Sequence, residues 1–176
     1  MRPTDRVASL ETGPDLGRSL RKAVPRSSHG EWRPQPDRPD PVDVITSQNA
    51  TRLPWLVPIR HWRMAQSPFS FYRGGAKLMA LDLADTPMTG LHTQLCGDAH
   101  LSNDGVYGSP ERALVFDLND FDETLPGPWE WDLKRLAASF VIAARHNDID
   151  DERDLAEASA RAYRRAMAEF AGMRYL

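Results

Sequence analysis

"CGDAHLSNDG", residues 96–105, sets an aspartate, a histidine, an asparagine and a second aspartate between two glycines, behind the only cysteine of the chain. The stretch before it, "TGLHTQL" at 89–95, reads as a strand over Leu91–Cys96 that ends by presenting polar side chains. A second strand is expected over Ala113–Leu118 in "RALVFDLND", with "GSPER" supplying turn chemistry between the two. Together they predict a β-hairpin, with Asp98 and Asn103 at the same end as Asp117, Asp120 and Asp122. Three readings compete for the loop: a catalytic loop, a metal site, or a turn that hydrogen-bonds its own backbone.

Outward from the hairpin the chain is helical. Pro128 stands where a helix start tolerates proline, and Leu133, Leu136, Ala137, Phe140, Val141 and Ala144 fall on one face, predicting a helix over Trp129–His146. Another is expected from about Asp151, with Ala156, Ala160, Tyr163, Met167 and Phe170 as its stripe and acidic residues at its positive end. Upstream, Ser67 and Pro68 open a helix expected over Phe71–Ala84. Residues 43–66 predict two short helices interrupted by Pro54 and Pro58. Residues 1–42 hold half of the 14 prolines and few large apolar side chains. That stretch buries too little to offset chain entropy, so it is expected to be a disordered or loosely ordered arm with a short helix near Asp15–Ala23. Its arginines read as a solvated tail, with a docking segment as the alternative.

With 176 residues, 41% of them hydrophobic, the chain is long enough for one ordinary core and short for two. A formal charge of −3 gives no basic surplus for nucleic acid or an anionic membrane. No apolar run approaches the roughly 20 residues that span a bilayer, and no signal peptide is visible at the start, so a cytoplasmic location is expected. Cys96 alone makes neither an internal disulfide nor a cysteine-based zinc cluster.

Asp98 and Asn103 stand five apart, and further aspartates follow at the end of the next strand. Hard cations such as Mg²⁺ take oxygen ligands and are commonly held by one or two carboxylates plus substrate phosphates. An aspartate, an asparagine five residues later and a metal-binding aspartate on the next strand is the arrangement used in kinase-type phosphoryl transfer. The spacing alone is weak; its company in "NDFDE" and "GPWEWDLKRLA" strengthens it.

Three stretches, "CGDAHLSN", "LVFDLNDFDETLPGPWEWDLKRLAASFVIAAR" and "SPFSFYRGGAKLMALDLA", resemble the bacterial family catalogued as domain of unknown function 2252, from about Arg63 to the end of the chain. That family is in turn similar to the aminoglycoside phosphotransferase branch of the protein-kinase-like fold. The resemblance implies an α+β, partial kinase-like domain over residues 43–176, mostly helical, with the catalytic loop on a small hairpin. By the same resemblance Asp98 is the catalytic base, Asn103 and Asp120 are metal ligands, and His100 belongs to the catalytic loop, where it orders the chain. Asp122 is a secondary ligand or a turn stabiliser, and Asp117 stays open as an alternative to Asp120.

The implied cofactors are Mg²⁺ and ATP, and the implied acceptor is a hydroxyl on a small molecule or protein. Two departures stand out. Asp104 replaces the aromatic that usually follows the asparagine, and no glycine-rich phosphate cradle with a strand lysine is present. "YRGGAK" at 72–77 is the nearest candidate, with Arg73 and Lys77 read either as phosphate contacts or as structural residues. The family resemblance places the cradle downstream of the catalytic loop, so the chain is expected to be an N-terminal fragment, inactive and without appreciable ATP affinity alone. The alternatives are an inert or regulatory fragment that binds a partner through uncovered surfaces, and a metal-dependent hydrolase using Asp98, His100 and Asp120.

Overall fold

A computed structural model describes residues 13–173. Helix α1 (Gly13–Ala23) and a 3₁₀ turn at Arg26–Gly30 lead into an extended stretch that lies against a later helix. Next come α2 (Pro41–Ser47), 3₁₀ turns at Gln48–Thr51 and Pro54–Leu56, then α3 (Val57–Met64), α4 (Pro68–Arg73) and α5 (Ala76–Ala84). Four short strands follow, β1 (His92–Leu95), β2 (Asp104–Gly108), β3 (Leu114–Leu118) and β4 (Leu125–Pro128), before the two long helices α6 (Trp129–His146) and α7 (Glu152–Phe170). The chain is a mixed α/β protein, mostly helical, with two separate two-stranded antiparallel sheets.

Local chemistry explains where the helices begin. The Asp40 carboxylate accepts from the Val42 and Asp43 amides at 2.7 and 3.3 Å, and Pro41 takes the first position of α2. Ser67 Oγ accepts from the Ser70 amide at 3.0 Å and opens α4. The single helix expected over Phe71–Ala84 is instead two, because Gly74 and Gly75 divide it. A side chain at Gly74 would overlap the thioether of the buried Met64 on α3, so the glycine lets the two helices approach closely.

The pairing of strands differs from the expected hairpin. β1 pairs with β4, His92 opposite Pro128 and Leu95 opposite Leu125. β3 pairs with β2, Asp104 opposite Leu118 and Gly108 opposite Leu114. "GSPER" does make a hairpin turn, but it joins β3 to the "DGVYG" strand rather than to β1. The cause lies at Gly97, whose φ of +86° turns the chain off the line of β1 before any hairpin can form. β4, "LPGP", carries two prolines that cannot donate to a ladder; a two-stranded sheet consists only of edges and accommodates them.

The core holds Val44, Ile45, Met64, Leu78, Leu83, Leu95, Cys96, Ala99 and Ala144. α6 lies at the centre, packing against α7, α4 and β1. The Trp129 ring stacks on Tyr163 of α7 at 5.8 Å with planes 4° apart. Residues 32–38 touch α5: the Trp32 indole donates to the Asp82 carbonyl, and the Arg38 guanidinium grips the Asp82 carboxylate through two bonds of 2.6 and 2.8 Å. No helix among the described residues is long and apolar enough to cross a membrane.

Candidate active-site loop

Residues 96–103 leave β1 and close with a 3₁₀ turn at Leu101–Asn103. Gly97 is obligatory twice over: its φ is left-handed, and a Cβ there would overlap the Glu123 carbonyl. Three residues of α6 then fasten the loop. Asp132 accepts from the Cys96 and Gly97 amides at 2.7 and 3.1 Å, Arg135 binds the Asp98 carboxylate, and Ser139 Oγ accepts from the Leu101 amide at 3.0 Å. Their spacing of three and four residues stacks them on one helical face. The face that meets the loop is therefore polar, although the sequence presents α6 chiefly as an apolar stripe.

Arg135 is 3% exposed and carries much of this connection. Its Nε donates to Asp98 Oδ1 at 2.7 Å, its Nη2 donates to the same oxygen and to the Tyr72 carbonyl, and its guanidinium lies 4.4 Å from the Tyr72 ring centre. Tyr72 answers by donating its hydroxyl to the Arg135 carbonyl at 2.7 Å. Burial pushes the Tyr72 phenol up, so it stays a neutral donor.

Asp98 sits between two partners. His100 Nδ1 accepts from the Ser102 amide at 3.1 Å, which leaves the proton of the neutral ring on Nε2, 3.5 Å from Asp98 Oδ2. Desolvation works against the charged carboxylate, but His100 and Arg135 together outweigh it and hold Asp98 below the ordinary aspartate range. It is an ionised acceptor at neutral pH. The buried His100 also meets the edge of the Phe69 ring.

Asn103 is 5% exposed, and its amide nitrogen donates to the Asp98 carbonyl at 3.2 Å, the Asp120 carbonyl at 3.0 Å and Cys96 Sγ at 3.3 Å. These acceptors fix the orientation of the amide. Among the described residues nothing donates to its Oδ1, so the carbonyl remains available to an electrophile.

Asp98, His100, Asn103 and Asp120 line one cavity of about 1150 Å³ that also reaches Glu123 and the helices α3 and α4. The structure thus brings together four of the five residues singled out for the site. Asp122 does not line the cavity; its amide donates to Asp120 Oδ1 at 3.1 Å, which orients that carboxylate. Asp117 lies on β3 and accepts from its neighbour Leu118. Burial, then the charge of Asp117, raises Asp104, so these two form an acidic pair outside the cavity. Arg73 lines the cavity, whereas Lys77 donates to Ser47 Oγ at 3.3 Å away from it.

Several participants were missed in the sequence. Glu123 reaches the cavity, where desolvation and then Asp98, Asp120 and Asp122 raise its pKa. Asp132, Arg135 and Ser139 hid inside an apolar pattern; the clue was three polar residues on one stripe of an otherwise apolar helix. A metal is tested by its donors. Asn103 Oδ1 and the exposed Asp120 carboxylate on one cavity are the sparse oxygen set that Mg²⁺ uses when phosphates complete its shell, and they fit. Among the described residues no three His, Cys, Asp or Glu side chains converge to hold a metal, so the nitrogen- and sulfur-rich shell of a zinc centre is not formed there.

Residues 52–176 match the family model described as "Uncharacterized protein conserved in bacteria" (DUF2252). The chain belongs to the DUF2252 family. The match covers the cavity wall from Arg52, the loop and all of α6 and α7, and starts before Arg63, where the motif resemblance was first legible. No curated protein and no solved structure matches this DUF2252 chain.

Proposed function

We propose that residues 96–123 form the acceptor-side and metal-side half of a kinase-like phosphotransferase that moves a nucleotide γ-phosphoryl group to a hydroxyl. The observation that carries the reading is Asn103, pinned through its amide nitrogen with its carbonyl oxygen left open on the cavity shared by Asp98 and Asp120. That is the presentation a hard cation requires. When bound, Mg²⁺ supplies neutralisation of the phosphate oxygens.

The acceptor hydroxyl donates to the ionised Asp98, which orients the oxygen for in-line attack and takes its proton as the new P–O bond forms and the bridging bond from the γ-phosphorus to the departing nucleoside diphosphate breaks. A carboxylate held this acidic is a weak base, which suits a loose transition state in which proton loss comes late. Arg135 and His100 do not touch substrate in this scheme; they fix the carboxylate's position and charge. Asp120, its Oδ1 braced by the Asp122 amide, and Asn103 hold the cation.

The test is binding of Mn²⁺, a paramagnetic substitute for Mg²⁺, followed by water proton relaxation with wild type, Asn103→Ala and Asp120→Ala. Saturable Mn²⁺ binding weakened at least about tenfold by each substitution is expected, a loss of about 1.4 kcal/mol or more. Equal binding by all three proteins removes the metal site and the proposal with it.

A second reading, a fragment without turnover that binds a partner, has its own observation. On one face of the β2–β3 sheet Val106 opposes Phe116, and Leu114 lies beside them, exposed at 60%, 72% and 80%. Such a patch is typical of a surface that meets another protein. Mn²⁺ indifference would leave this reading standing.

A further inference from the structure

The wall opposite the loop is cationic. Arg52 precedes α3, Arg60 and Arg63 lie three apart on α3, and Arg73 ends α4; all four line the cavity that holds Asp98, Asn103 and Asp120. Among the described residues none of the four is within salt-bridge distance of a carboxylate, whereas Asp98 on the other wall is already matched by Arg135. Arg60 is the least comfortable. Its Nη2 donates to the Gly74 carbonyl at 2.9 Å and more loosely to Gln48, which fixes the guanidinium, yet its Nη1 is buried with no partner. Desolvation and then repulsion from Arg52 lower its pKa, against the opposing pull of Glu123. Four guanidinium groups on one cavity, none of them in an ion pair among the described residues and faced through space by Glu123, in a protein whose net charge is −3, are not a general basic surface but a local one.

We propose that Arg52, Arg60, Arg63 and Arg73 bind the phosphate group of a small phosphorylated ligand, seated between the arginine wall and the Asn103–Asp120 side of the cavity. Guanidinium forks match phosphate oxygens in pairs, and the concave setting suits a small molecule rather than the backbone of a nucleic acid. The phosphate belongs either to a nucleotide or to a phosphorylated acceptor. The use of the ligand rests on the phosphotransferase reading above; its binding does not.

The experiment is calorimetric titration of the full chain in excess EDTA with inorganic pyrophosphate, ATP and glucose 6-phosphate, repeated with Arg63→Ala/Arg73→Ala, with Arg60→Lys and with Lys77→Ala. Arg63 and Arg73 are exposed, so their replacement leaves the fold intact, and circular dichroism verifies that. Expected is saturable binding of at least one probe, weakened at least tenfold by the double variant and by Arg60→Lys, and retained by Lys77→Ala, whose amine donates to Ser47 Oγ outside the cavity. Pyrophosphate and ATP binding without glucose 6-phosphate assigns the site to a nucleotide; the reverse order assigns it to a phosphorylated acceptor. Absence of binding by all three probes, or binding indifferent to the arginine substitutions, overturns the proposal. Loss of Mn²⁺ binding with pyrophosphate binding intact would refute the phosphotransferase reading alone.

Discussion

Replacing Arg135 by methionine keeps the volume of the side chain's stem and removes its charge. In the native protein the guanidinium is 3% exposed and the Asp98 side chain 17%, so the pair is largely out of water. Removing one member of such a pair costs about 3–5 kcal/mol, because the remaining charge stays desolvated and unmatched. Loss of the stacking on Tyr72 adds about 0.5–2 kcal/mol. Against a typical stability of about 5–15 kcal/mol, the variant should be marginal.

The pH dependence gives a second reading of the same interaction. Asp98 has a folded pKa below its unfolded value, so its stabilising contribution is present above the unfolded pKa and is lost as pH falls through the folded one. In Arg135→Met, desolvation remains without the opposing cation, and Asp98 takes up its proton at a higher pH than in the wild type. The deficit should therefore be full at neutral pH and shrink as the solution is acidified, because the variant's carboxyl takes up its proton before the wild type's does. Urea unfolding across that range measures it. Asp98→Asn in the variant background should recover part of the loss, since no buried charge is then orphaned. A deficit below about 1 kcal/mol, or one that does not change with pH, refutes the view that a buried ion pair holds the loop to α6.

Two further outcomes follow from the loop's geometry. Gly97→Ala must place a methyl group at a φ of +86° and against the Glu123 carbonyl, so thermal unfolding should show destabilisation well beyond the ~1 kcal/mol of an unhindered left-handed site; an unchanged midpoint would contradict the close approach. Burial pushes the Cys96 thiol up, outweighing the opposing hydrogen bond from the Asp98 backbone and helped by the charge of Asp132, so alkylation by iodoacetamide at neutral pH should be slow in the native protein and fast in urea. Equal rates would place the thiol at the surface.

What could be read without coordinates was governed by neighbours in sequence. The start of α6 at Trp129 after Pro128, the cap by Ser67 and the break near Pro54 depend on a few adjacent residues and lie where they were expected, whereas Pro58, expected to interrupt a helix, sits in the first turn of α3. The glycine pair that splits α4 from α5 was visible, but its force was not. Only the proximity of Met64 makes Gly74 a necessity rather than a tolerated defect of a helix. The loop residues Asp98, His100, Asn103 and Asp120 were legible because chemistry-bearing residues were clustered in the chain. Their partners were not, since Arg135 stands 37 positions from Asp98 and nothing in a helix sequence tells which polar residue turns inward.

The sequence by itself determined the long helices α6 and α7, the opening of α4 at Ser67 and the density of polar residues at 96–105, because backbone hydrogen bonds within helices and turns close over three or four residues. The tertiary structure decided which strands pair, which face of α6 is polar and which aspartates share a cavity. Those outcomes are settled by competition among distant groups for burial and for hydrogen-bond partners. β1 reaches β4 across the whole loop because Gly97 turns the intervening chain away and Asp132 secures it there, and that arrangement brings Asn103 beneath the Asp120 carbonyl.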